Sequence, residues 1–193
     1  CYAYLIEADG KSVLYTGDLR LHGRKTGMAK RLIKVLSNHP IDVMLMEGTH
    51  FGFADGNEVT EYELEDEIVK HVNEASGFVI KYFSPQHVDR LVAFIRAAKK
   101  TGRTFVADVY TAFILHLIAS DIPVPVPEND ELVRVFYPTT FVDSAQRRGL
   151  KKLSDRFEAS RISIEEITVD PSKYLMIFRP SMLRVLPSSW LSE

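Results

Sequence analysis

Apolar residues recur along this chain with two different periods, and the switching between them predicts the elements. Residues 2–18, "YAYLIEADGKSVLYTGD", read as two strands joined at Asp9-Gly10, a pair that favours a tight hairpin. "GMAKRLIKVLSNHP" follows with helical spacing, Met28, Leu32, Val35 and Leu36 falling on one face and Asn38 to Pro40 ending it. "IDVMLME" is almost wholly apolar, the pattern of a strand buried on both faces of a parallel sheet. "VTEYELEDEIVKHVNEASG" predicts a helix in which Thr60 and Glu63 form a capping box and Val59 and Leu64 a hydrophobic staple. Its core stripe is Leu64, Ile68 and Val72.

The alternation continues. "FVIKYFS" reads as a strand, "HVDRLVAFIRAAKKTG" as a helix with Val88, Leu91, Val92 and Ile95 in register, "TFVADVY" as a strand and "TAFILHLIAS" as a helix. Such crossover units specify an α/β protein, helices layered on a mostly parallel sheet. Beyond residue 120 the texture changes. "IPVPVPEND" is a proline-punctuated connector, and "VRVFYP" and "YLMIFRP" read as strands flanking a charged stretch that is helical in its middle. Neither an internal repeat nor a low-complexity tract interrupts the 193 residues.

Composition narrows the classes. With 46% hydrophobic and 26% charged residues, the chain can bury a substantial core. A net charge of −2 supplies no global basic field, so attraction to nucleic acid would have to come from a local patch. One cysteine rules out a disulfide framework within the chain. The apolar windows are too short to span a bilayer, and "CYAYLIEADGK" lacks a signal peptide's basic start. The expectation is a cytoplasmic protein with no membrane partner. Because the chain opens at Cys1 and enters a strand at once, it reads as a piece of a longer protein.

Two strands finish on an acid, Asp18 in "YTGD" and Glu47 in "LMEGTHFG", each beside a glycine. In an open α/β sheet, ligands gather at the carboxyl ends of strands, so the two acids are expected to share a crevice. Carboxylates held there suit a divalent cation or the orientation of its ligands. Taken singly, Asp18 reads as a cap and Glu47 as an ordinary polar strand exit. The functional reading gains from "YTGDLRLHGRK" being followed, 29 positions after its aspartate (47 minus 18), by "MEGTHFG". His22 and His50 read either as loop histidines or as groups near a phosphate. Arg24 and Lys25 open a basic run, residues 1–40 holding seven Lys/Arg against three Asp/Glu, which a solvated helix face explains equally well. Arg90 sits at a predicted helix start, where a phosphate would also meet backbone N–H groups; pairing with Asp89 or Glu47 is the structural alternative. Asp108 reads as structural.

These motifs resemble the metallo-β-lactamase superfamily, and within it the β-CASP branch of nucleic-acid-processing hydrolases. "LYTGD" is similar to the fourth metal motif, which implies that Asp18 bridges two zinc ions. "MEGTHFG" resembles the acidic motif opening the β-CASP insert, which implies that Glu47 orients a metal-ligating histidine. "FSPQHVDRLVAFIRAAKKTGRTFVADVYTAFIL" resembles the insert's first crossover unit. The resemblance implies residues 1–52 from the C-terminal part of an αββα metallo-β-lactamase fold and 53–193 from a Rossmann-like β-CASP domain. It implies substrate contacts at His22, Arg24, Thr49, His50 and Arg90. The family's HxHxDH cassette is missing, since no two of the six histidines lie two apart. A lone carboxylate cannot hold tetrahedral zinc. The expectation is a zinc-dependent nuclease acting on single-stranded RNA or another nucleic acid in the full-length parent, with these residues alone inactive and free of stoichiometric zinc.

Two other classes stay open. One is a noncatalytic interaction module, favoured by ten Asp/Glu against one Lys/Arg over residues 41–76. The other is a hydrolase of a small ester or thioester, which would not need the long insert. Self-association through cut sheet edges is a further possibility.

Overall fold

The computed structural model describes residues 2–18, 23–25, 27–48, 59–149, 152 and 155–187. It divides into two compact units, Cys1–Glu61 and Tyr62–Glu193.

The first unit is built on a three-stranded sheet in the order β1-β2-β3. β1 (Tyr4–Ala8) and β2 (Lys11–Tyr15) form the antiparallel hairpin that Asp9-Gly10 predicts. Both turn residues have positive φ, 50° and 69°, the backbone twist that a two-residue hairpin requires. The helix α1 (Gly27–Leu36) then leads to β3 (Val43–Leu45), which lies parallel to β2. Asp42 fixes the register of this parallel pair. Its carboxylate accepts from the Ser12 N–H at 2.8 Å and from Lys11 Nζ at 3.1 Å, while its own N–H donates to the Ser12 carbonyl at 3.1 Å.

One expectation is corrected here. β3 forms where its apolar pattern places it, yet Val43, Met44, Leu45 and Met46 are each about half exposed. Apolar pattern reports what a strand can bury; burial itself needs a facing layer, and the described residues of this unit provide none for it. Met28 and Val35 on the apolar face of α1 are likewise exposed.

The second unit has the layered architecture that the alternating pattern predicts: a five-stranded, all-parallel sheet flanked by helices. In chain order it runs α2 (Glu61–Glu74), β4 (Val79–Tyr82), α3 (Val88–Thr101), β5 (Thr104–Asp108), α4 (Val109–Ile118), β6 (Val133–Phe136), α5 (Thr139–Arg147), β7 (Arg161–Ile162), α6 (Ile164–Val169) and β8 (Tyr174–Phe178). In space the strands lie in the order β4-β8-β5-β6-β7, so the last strand inserts between the first two.

Successive residues of each strand serve opposite faces, as a period of two demands. Phe105, Ala107, Val133, Val135, Leu175 and Ile177 join a core with Val72 of α2, Leu91 and Ile95 of α3 and Leu115 of α4. Val106, Phe136, Ile162 and Met176 meet Ile167 of α6 and the turn bearing Met182 on the other side. Gly102 closes α3 with φ 68°, the left-handed cap that glycine supplies without strain. The pattern misses β7, two residues long, and α6, whose capping box pairs Ser163 with Glu166. It also places the start of α4 two residues late, because the cap is Asp108 at the end of β5.

Candidate functional site

The end of β2 and the end of β3 coincide. Tyr15 pairs with Leu45, and the Thr16 N–H donates to the Leu45 carbonyl at 3.0 Å, carrying the parallel ladder one step further. Past that bond the two strands leave the sheet at the same, carboxyl end, one toward Asp18 and the other toward Glu47. Both acids are exposed.

Gly17 is what allows the first exit. Its φ is 59°, and a Cβ built there would lie 2.8 Å from the Tyr2 carbonyl oxygen. A side chain at this position would therefore meet both backbone strain and a backbone clash. Thr16, buried beside it, donates its hydroxyl to the Gly17 carbonyl at 2.9 Å. The carboxylate of Asp18 thus hangs on a hinge that only glycine fits, at the end of the sheet where Glu47 also emerges. At the far end of β3, the Ser12 N–H and then Lys11 hold the Asp42 carboxyl below its usual pKa, so Asp42 stays charged and keeps the register.

The remaining predicted residues divide. Arg24 is half-buried and donates to the Glu61 carbonyl at 3.2 Å. Arg90 is half-buried in the first turn of α3, in the second unit. His22, Thr49 and His50 lie outside the described residues. Among the described residues, no group of three or more His, Cys, Asp or Glu side chains could hold a metal ion. Two acids are fewer donors than the four that zinc takes, so the described residues do not by themselves form that ion's site. Nor, among the described residues, is any helix long and apolar enough to cross a membrane.

A second constellation stands at the carboxyl ends of β4, β5 and β8, and sequence reasoning missed most of it. Asp108, 1% exposed, ends β5 and caps α4. Its Oδ1 accepts from the Thr111 N–H at 3.0 Å and from the Thr111 hydroxyl at 2.5 Å. Its Oδ2 pairs with Nη2 of Arg179, the residue that follows β8. The Arg179 guanidinium lies 5.3 Å from the Tyr110 ring centroid, and the Tyr110 hydroxyl accepts from Gln86 Nε2 at 2.8 Å. The signal was available: "YLMIFRP" is another apolar strand that ends on a charge, like "YTGD" and "LMEG".

Comparison with known proteins yields the fold alone. No family model matches the chain, and no curated protein does. A crystal structure of a protein of unknown function from Enterococcus faecalis V583 superposes over 95% of the chain with a TM-score of 0.66 and 20% identity. The chain spans 39% of that protein's length. A second polypeptide thus carries this arrangement of elements inside a chain more than twice as long.

Proposed function

We propose that these 193 residues belong to a zinc-dependent hydrolase of the β-CASP type that cleaves phosphodiester bonds in RNA. The observation that supports it is the pair of acids leaving adjacent parallel strands at their shared carboxyl end, with a glycine hinge that tolerates no side chain beneath the first. In this reading Asp18 would supply one carboxylate ligand to the metal, and Glu47 would orient a histidine that holds it. The other ligands come from residues beyond the two acids. The bound ions would supply a hydroxide near neutral pH and a clamp for phosphoryl oxygens. Residues from about 53 onward form the β-CASP domain, which lines the path of a single strand.

The test is made on the longest reading frame containing these residues. Asp18→Ala is expected to lower bound zinc and to abolish cleavage of single-stranded RNA. Glu47→Gln is expected to keep most of the metal while losing activity by about 10–100-fold, the range for outer partners of metal ligands. Full activity and full zinc in Asp18→Ala would overturn the assignment. A noncatalytic interaction module is the second reading, favoured by the exposed apolar surface of β3; it predicts no cleavage by the intact protein.

A further inference from the structure

We propose that the second unit carries a phosphate-binding crevice of its own, at the carboxyl ends of β4, β8 and β5, with Arg179 as the residue that contacts the ligand. The topology points there first. The chain leaves β4 and β5 into α3 and α4, which pack on one face of the sheet. It leaves β8 into the turn Pro180–Met182, and Met182 is buried on the opposite face. β8 lies between β4 and β5, so the connections on either side of it part to opposite faces. Such a parting opens a crevice outside the strand ends, which is where open parallel sheets bind ligands.

The side chains at that point are arranged to present a cation. Asp108 and Arg179 neutralise each other, but unequally with respect to solvent. The acid is 1% exposed and the arginine side chain 29%. Of the pair, a ligand entering the crevice therefore meets the arginine and not the carboxylate. Tyr110 supports one side of the guanidinium, and Gln86 holds Tyr110. Arg179 Nε is enclosed and Nη2 is paired with Asp108, so the donors left for a ligand are the guanidinium N–H groups that neither engages. A guanidinium held by a buried acid and an aromatic ring offers its remaining N–H groups to a phosphate oxygen, and its ordering cost is already met before the ligand arrives. Arg90 sits in the first turn of α3 at the same end of the sheet.

The phosphate is assigned to a single-stranded RNA chain. That choice of source rests on the proposed function; the crevice itself needs no metal. The test follows a fluorescein-labelled decauridylate by anisotropy at low salt with EDTA present, on the 193-residue chain and on the longer protein. Binding by the wild type is expected, weakened about tenfold in Arg179→Lys, which keeps a cation for Asp108 but loses the guanidinium's remaining donors. Gln86→Ala leaves the ion pair intact and is expected to weaken binding by a smaller factor of roughly three. Thermal melts of both variants confirm that they fold. Wild-type affinity in both folded variants, or no binding by the wild type, overturns the crevice. Complete displacement by millimolar inorganic phosphate, with no preference for the oligonucleotide, overturns the RNA assignment. Binding in EDTA without cleavage after zinc is restored would count against the hydrolase and leave the crevice standing.

Discussion

Tyr137 shows how burial sets a single residue's chemistry. It follows β6, is 5% exposed, and has the Arg161 guanidinium 5.2 Å from its ring centroid. Burial, with the Glu158 carboxylate as a lesser cause, pushes its phenol up to about 12 from the usual value near 10. In the unfolded chain the phenol ionises first, so the stability it contributes is fully present below pH about 10 and is lost as pH rises towards 12. Alkaline unfolding of the wild type is therefore expected to steepen in that window. Tyr137→Phe should flatten the dependence there, as followed by far-ultraviolet circular dichroism against pH. An unchanged profile would mean that other groups govern the alkaline limb.

Between elements, long side chains hold what the backbone ladder cannot reach. Arg103, 8% exposed just before β5, donates to the carbonyls of Gly77 at 2.7 Å, Val72 at 2.8 Å and Ala75 at 2.5 Å. Those are the carbonyls at the end of α2 and in the turn into β4, groups that a helix terminus leaves unpaired. Arg103→Met keeps the stem and removes the donors, so it is expected to destabilise the second unit by about 2–4 kcal/mol, read by urea titration. A loss under about 0.5 kcal/mol would show that water serves those carbonyls equally well. One helix further along, Glu65 is buried on α2 and accepts from Lys100 Nζ of α3 at 2.8 Å, which raises the lysine's pKa. That contact fixes the pairing of two helices whose apolar stripes alone would allow some sliding.

At the scale of the molecule, the two units differ in how far they are covered. The second has apolar layers on both faces of its sheet, with Phe105, Leu175, Met176 and Ile177 at 0% exposure. In the first unit Tyr4, Ile6, Val43, Met44, Leu45 and Met46 stay open. Exposed apolar residues in such a group mark a surface that binds something or associates. The 193-residue chain is accordingly expected to enhance the fluorescence of an apolar dye such as ANS while natively folded. The pair Leu45→Thr with Met46→Lys should reduce that signal. Dye binding indifferent to this pair would place the sticky surface elsewhere.

Local chemistry read from the sequence determined much of this protein. Alternating apolar periods placed eleven of its elements, Asp9-Gly10 set the hairpin, and the glycine before Asp18 marked a sharp strand exit. These are decided within a few residues, where sterics and periodicity suffice. Tertiary structure decided what depends on neighbours distant in the chain. It put β8 between β4 and β5, and so brought Arg179 to Asp108 across 71 positions (179 minus 108). It also left β3 uncovered, although its apolar run reads like that of a buried strand. Burial and strand order are properties of what packs against an element, and a strand's own residues do not contain that information.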